Sequence, residues 1–271
     1  MSAIRGLINR ARAMGNRYVS RGHRIQRLID EADQAASSRD RYEKQFHALQ
    51  QLATEWGFEI YNCNLAWLND EEFSCTMNRF PLGGQRRDRK FLLWSLAKSV
   101  RDLSGHTAEC GVLHGLSSHL ICSVNERHEA CCHHIFDSFE GLSHPSSDDR
   151  PATETAFVWN QGDLSVGLDD VRKNLSTFEF VKYYEGWIPT RFDEVRDLRF
   201  KFVHVDVDLY QPTRNAIEFF YPRIVTGGVL LCDDFGYETC PGARKAFDEV
   251  ASQFNFSIVH LPTGQGFVIK R

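Results

Sequence analysis

The chain has 271 residues, 42% of them hydrophobic and 25% charged, with a formal net charge of −4. That length fits one large α/β domain with an appendage, or two small domains, and the apolar share is ample for a buried core. The slightly acidic balance excludes a global pull toward nucleic acid, and no apolar run reaches the ~20 residues of a membrane span.

The N-terminal stretch MSAIRGLINRARAMGNRYVSR has basic residues scattered through it and no unbroken apolar core, so it does not read as a secretory signal. Residues 4–34 have helical spacing, with Ile4, Leu7, Ile8, Ile25, Leu28 and Ile29 as apolar contacts and seven arginines among them. A basic amphipathic helix of this kind suits an arm packing on a second subunit better than a membrane-surface helix, so a homo-oligomer is expected. A second helix is predicted over 39–56, an irregular stretch over 57–84 and a third helix over 85–103. This divides the chain into a helical N-terminal extension, 1–84, and a main domain, 85–271.

The main domain alternates strand and helix signals: strand 107–113, helix 117–129, strand 133–139, helix 168–175, strand 179–184 and a short helix over 190–198. Residues 143–161 form a polar stretch too long for a simple connector, which reads as a lid over the site. The stretch 199–236, RFKFVHVDVDLYQPTRNAIEFFYPRIVTGGVLLCDDFG, is a βαβ unit with its helix over 211–222. A helix over 241–253 follows, and two β-rich runs joined by PTGQG close the chain as an antiparallel hairpin. The expected fold is α/β, a Rossmann-like, mostly parallel sheet with an antiparallel last strand, preceded by N-terminal helices.

None of the eight cysteines forms a CxxC pair, and several sit inside apolar runs, as free thiols of a reducing cytoplasm do. The run Cys131-Cys132-His133-His134 resembles a metal cluster, but consecutive strand residues alternate faces and cannot all reach one ion. It also lacks the ligand spacings of structural zinc sites.

Both strands of the βαβ unit end in carboxylate pairs. Asp206, Asp208, Asp233 and Asp234 should gather at the carboxyl edge of the sheet, where open α/β sheets bind ligands. Four carboxylates at one edge repel one another unless something positive lies between them, which points to an oxygen-ligated divalent cation. Upstream, Glu109-Cys110-Gly111-Val112-Leu113-His114-Gly115 is not G-x-G-x-x-G, which counts against a dinucleotide. Gly111 and Gly115 still bracket a turn that lets backbone approach a ligand. Asp137, followed by Ser138 and Phe139, ends the second strand at the spacing from which an acid accepts ribose hydroxyls. Asp163 and Trp187 either flank an adenine or are an ordinary turn and a core tryptophan.

The blocks AECGVLHGLSS, FDSFEGL, EGWIPT, FVHVDVDLYQPT and GGVLLCDDF…PGARKAFDE resemble the macrocin O-methyltransferase family (TylF-like) over roughly residues 87–249. The resemblance implies a class I fold, S-adenosyl-L-methionine as methyl donor, Mg2+ dependence and a small-molecule substrate bearing a sugar hydroxyl. It implies Asp206, Asp233 and Asp234 as metal ligands and Asp208 as general base, with Glu109 holding the cofactor amino group or orienting its turn. Cys110 departs from the family's usual hydrophobic residue, and Leu113-His114 from its aromatic-Arg pair. A cation binding the hydroxyl lowers its pKa, and a carboxylate in reach takes the proton as the methyl transfers. As i and i+2, Asp206 and Asp208 would face one side of a strand, whereas Asp233 and Asp234 can both ligate only if the chain turns there. His204 reads as a satisfied core histidine, His114 and His144 as lesser candidates for base, and Tyr210 and Arg214 as substrate-holding or packing residues. The competing readings are a catechol-type O-methyltransferase, against which the DxDLY block stands, and a cofactor-binding assembly subunit without turnover.

Overall fold

The computed structural model describes residues 27, 30–31, 34–55, 62–83, 86–126, 131–152 and 157–271. The arm expected over 4–34 lies outside them but for residues 27, 30, 31 and 34. The chain divides into two compact units, Met1–Glu71 and Glu72–Arg271, a division that falls earlier than residue 84. No helix of the described residues is long and apolar enough to cross a membrane.

In the first unit, helix α1 (Ser38–Glu55) takes up the segment expected as helix, and a 3-10 helix spans Asn62–Asn69. Tyr42 meets Trp67 edge-on, ring centroids 4.9 Å apart. The stretch expected to be irregular also holds helix α2 (Glu71–Arg79). Its buried Phe73, Thr76 and Met77 stand at i, i+3 and i+4, an apolar stripe short enough to hide among polar neighbours. Glu71 and Glu72 in its first turn and Arg79 in its last complement the helix dipole.

The second unit continues with α3 (Arg87–Ser99), β1 (His106–Cys110), α4 (Leu116–Asn125), β2 (His133–Asp137) and α5 (Leu168–Asn174). After β3 (Val181–Glu185) come β4 (Phe200–Val205), α6 (Tyr210–Phe220), β5 (Ile224–Cys232), α7 (Pro241–Phe254), β6 (Val259–His260) and β7 (Gly266–Ile269). Residues 190–198 form only a 3-10 turn, Phe192–Val195.

The strands make one sheet in the order β3-β2-β1-β4-β5-β7-β6. β1 to β5 run parallel, and β7 runs antiparallel to both β5 and β6, as the terminal hairpin requires. Strand order reverses between β1 and β4, so the crevice for a ligand opens at their carboxyl ends. β4 is buried along its whole length, which is why four of its six residues are apolar, with Lys201 and His204 held by partners. Alternation then sorts the side chains. Ala108, Cys110, Val203 and Val205 pack with Ile217 and Phe220 of α6 and Phe247 of α7. On the other face Ile135 packs with Cys122 of α4 and with Val171 of α5.

Candidate active site

The carboxyl ends of β1, β2, β4 and β5 open onto one cavity of about 620 Å3. Gly111, Asp137, Ser138 and Trp187 of the expected cofactor set lie on its wall. So do all four carboxylates, Asp206, Asp208, Asp233 and Asp234.

Gly111 has φ 81°, and a Cβ on it would stand 1.9 Å from the Asp206 carbonyl oxygen. Only glycine lets the turn after β1 lie against the end of β4. Asp137 braces the same turn: its Oδ2 accepts the Val112 N–H at 2.7 Å, and its Oδ1 accepts the Phe139 N–H at 2.7 Å. Burial raises its pKa above the ordinary carboxyl value, and each oxygen keeps a lone pair for a ligand.

The other expected cofactor residues do not line the cavity. Glu109 is buried and accepts from Ser118 Oγ and, at 2.7 Å, from His204 Nδ1. Gly115 starts α4 against Leu175. Phe139 packs in the core beside Val112 and Ile135. Asp163 closes a turn by accepting the Asn160 N–H at 2.8 Å.

β4 stops at Val205 and β5 at Cys232, so all four acids stand on turns beyond the strands. Asp208 has φ 58°, a left-handed conformation, so strand alternation does not align it with Asp206 as expected; the turn itself brings both to the cavity. Asp233 and Asp234 both reach it for the same reason. The acids fall into two groups. Asp206 and Asp233 gather with His204, and Asp208 and Asp234 with Cys240, the ligand atoms of each group within 4.8 Å of one another.

The first group is already charge-balanced. Asp233 Oδ2 accepts from Arg89 Nη2 at 2.6 Å, and its Oδ1 accepts from Gln265 Nε2 at 2.6 Å and faces His204 Nε2 at 3.2 Å. Arg89 also donates to Tyr237 Oη and lies over its ring, 4.4 Å from the centroid. Burial works against the Asp233 charge, but Lys90, His204 and Arg89 outweigh it and hold this carboxyl well below the usual range. His204 is a fully buried core histidine, as expected, and is also charged. Burial opposes its proton, yet Asp233 and Glu109 push its pKa up to about 9. Nothing in the sequence marks Arg89 or Gln265 as partners of Asp233, because both lie far from it in the chain.

The second group carries excess negative charge. Burial and then Asp206 push Asp208 up to about 7. Burial and then Asp208 hold Asp234 well above its ordinary value. The Asp208 N–H donates to Asp234 Oδ2 at 3.0 Å, and Cys240 Sγ donates to Asp208 Oδ1 at 3.4 Å. Asp206 is raised by burial and then by Asp233, with no hydrogen bond among the causes. Oxygen donors pushed up by burial and then by mutual repulsion are the set a hard divalent cation relieves, so these residues fit one.

The stretch 143–161 is pinned at its start rather than free. Asp149 accepts the Ser146 N–H at 2.7 Å and the Tyr210 N–H, at the start of α6, at 2.6 Å. Lys245 of α7 pairs with Asp148 at 2.7 Å. Farther on, Trp159 reaches the cavity wall. His114 lies on that wall, while Tyr210 and Arg214 bind Glu249 at 2.6 and 2.9 Å and pack away from it.

The model of the macrocin O-methyltransferase family (TylF) matches residues 80–258. Among curated proteins, the 8-demethyl-8-(2,3-dimethoxy-alpha-L-rhamnosyl)-tetracenomycin-C 4'-O-methyltransferase of Streptomyces olivaceus is 29% identical over 160 residues, covering 56% of this chain and 60% of that protein. The demethyldecarbamoylnovobiocin O-methyltransferase of Streptomyces niveus is 23% identical over 163 residues, covering 58% and 62%. The chain thus spans about three fifths of the length of these two relatives. The crystal structure of a calicheamicin methyltransferase shares the fold, with a TM-score of 0.59 at 19% identity over 77% of this chain and 90% of that one. By the family match over residues 80–258, the chain belongs to the macrocin O-methyltransferase (TylF) family.

Proposed function

We propose that the protein is an S-adenosyl-L-methionine-dependent, Mg2+-dependent O-methyltransferase acting on a hydroxyl of a sugar moiety, in a glycoside, a nucleotide sugar or a glycosylated natural product. The observation that carries this reading is the placement of four carboxylates on the wall of the cavity that Gly111 and Asp137 also line. The rhamnosyl acceptor in the name of the Streptomyces olivaceus relative supports the sugar class.

When bound, the cofactor supplies the methyl group and the cation acidifies the acceptor hydroxyl. Gly111 admits the cofactor to close backbone approach, Asp137 accepts its ribose hydroxyls, and Ser138 and Trp187 border it. Asp206, Asp233 and Asp234 hold the cation, with Arg89 and His204 keeping Asp233 ionised and oriented. Asp208 takes the hydroxyl proton on a carboxylate oxygen. It lies on the same cavity wall as these three acids, where it can meet a hydroxyl held by the cation. Glu109 acts through His204 rather than by touching the cofactor.

Isothermal titration with S-adenosylhomocysteine tests the cofactor half, and absence of binding removes the methyltransferase reading. Asp208→Asn is expected to keep that binding and to lower turnover of a glycoside acceptor by about 10²-fold or more. Full activity would remove Asp208 as base. EDTA should abolish turnover and Mg2+ restore it; activity indifferent to both would remove the metal.

A further inference from the structure

At the opposite, amino-terminal edge of the sheet, β1 and β2 pair in parallel with Thr107 beside His133 and Ala108 beside His134. This register sets His106 level with Cys132. Strand alternation then splits the run of two cysteines and two histidines. His133 points to one face, where its Nδ1 lies 2.8 Å from Thr107 Oγ1 and its Nε2 2.9 Å from Ser118 Oγ. Cys132 and His134, as i and i+2, point to the other, and His106 joins them from the neighbouring strand. The run as a whole cannot ligate one ion, but half of it plus one residue of β1 can.

We propose that His106, Cys132 and His134 form a second metal site, separate from the carboxylate edge and suited to Zn2+ through two imidazoles and a thiolate. One ligand atom from each lies within 4.8 Å of the other two. A tetrahedral zinc with these ligands needs separations of about 3.4–3.6 Å. Binding therefore draws the three side chains together by about 1 Å or less.

A second, independent observation points to a ligand. His134 is 4% exposed, and its Nε2 is buried with no hydrogen-bond partner among the described residues. A polar atom in that position is costly unless something binds it. Its other nitrogen, Nδ1, lies 2.9 Å from Tyr184 Oη, which can accept the Nδ1 proton and so leave the Nε2 lone pair free for an ion. The Tyr184 ring stacks on that of His134 at 5.7 Å and fixes its plane. The Cys132 backbone N–H donates to His106 Nδ1 at 3.2 Å, a long bond that an ion taken at this nitrogen would replace. The rings of His106 and His134 meet edge-on, centroids 5.1 Å apart. Burial lowers the pKa of both histidines, which favours the neutral form a metal requires. Lys201, whose charge bears on His106, donates to the Arg101 carbonyl at 2.7 Å. The part-exposed His106 and Cys132 give an ion access from solvent. With three protein ligands, the fourth position is left to water. An ion there would clamp β1 to β2 and take no part in methyl transfer.

Co2+ serves as the probe, titrated into the full chain with Mg2+ in excess to fill oxygen sites. One equivalent should raise a thiolate-to-cobalt charge-transfer band in the near ultraviolet, and Zn2+ should abolish it by displacement. Cys132→Ser and His134→Gln should each lose the band with an unchanged far-ultraviolet circular dichroism spectrum, and His106→Gln should weaken Co2+ binding. Cys240→Ser, at the carboxylate edge, should keep it. A wild-type protein with no band overturns the proposal. So does a band that survives Cys132→Ser or disappears in Cys240→Ser.

Discussion

The Arg89–Asp233 pair is the sharpest point at which to perturb this molecule. Both side chains are about 95% buried, and the guanidinium contacts the Asp233 carboxylate, its carbonyl oxygen and Tyr237. Arg89→Met keeps most of the buried volume and removes the charge. Asp233 then keeps the charges of Lys90 and His204 and its bond from Gln265 but loses its direct guanidinium partner, while Asp206 bears on it from nearby. Breaking a buried pair from one side costs about 3–5 kcal/mol. At about 2–4 °C per kcal/mol for a unit of this size, the melting temperature should fall by about 6–20 °C. The assay is thermal unfolding followed by circular dichroism in EDTA. Asp233→Asn added to Arg89→Met should recover part of the loss, because the stranded charge is gone, and the double-mutant cycle reads the coupling directly. Mg2+ should narrow the gap between wild type and Arg89→Met, since a cation supplies the charge that was removed. A shift below about 1 kcal/mol in EDTA, or a double mutant that is merely additive, would refute the account of Asp233 as a charge balanced by Arg89.

Three further outcomes follow from the same contacts. Gly111→Ala forces a methyl to within 1.9 Å of the Asp206 carbonyl and imposes a side chain on φ 81°, so S-adenosylhomocysteine binding measured by calorimetry should be lost or fall by at least about tenfold. His133 is fully buried with its pKa pushed down to about 3, so its neutral form contributes full stability above the unfolded value of 6.5 and loses it progressively as pH falls toward 3. At pH 5 that loss is about 2 kcal/mol. The stability gap between wild type and His133→Asn, from urea unfolding, should therefore shrink by about that amount from pH 7 to pH 5. Comparison with the variant cancels the carboxylates, whose raised values act in the opposite direction. A constant gap counts against a buried neutral His133. Asp149→Ala frees the Ser146 and Tyr210 N–H groups, which should cost about 1–2 kcal/mol and speed proteolysis within residues 143–152; an unchanged cleavage rate would show that the anchor does not hold the stretch.

The βαβ unit was the most legible part of the chain, because β4 and the second half of β5 are buried and write largely apolar runs that stop at acids. The terminal hairpin was legible from its turn residues. Helix α2 was not, since a nine-residue helix with three buried positions leaves too short a pattern to separate from its polar setting. Of the site, the residues named by position along a strand end were placed on the cavity wall, as Asp137 and the four acids show. The residues that hold them were hidden. Arg89 looks like one more cation on an amphipathic helix, and Glu109 resembles a cofactor ligand until the fold sets His204 beside it. Strand alternation also misled at Asp208, where a left-handed residue, not the pleat, decides the direction.

The contact between Gly111 and Asp206 has an engineering meaning. The turn after β1 and the turn after β4, proposed to meet the cofactor and the cation, rest on each other with no side chain between them. On the proposed function, the methyl-donor side and the cation side of the cavity are spaced there by backbone alone. Elsewhere the cavity wall is built differently, from side chains such as Leu82, Trp159 and Leu164 on irregular segments. On the proposed function, acceptor preference would be recut there, by exchanging those segments, while the Gly111–Asp206 contact stays fixed.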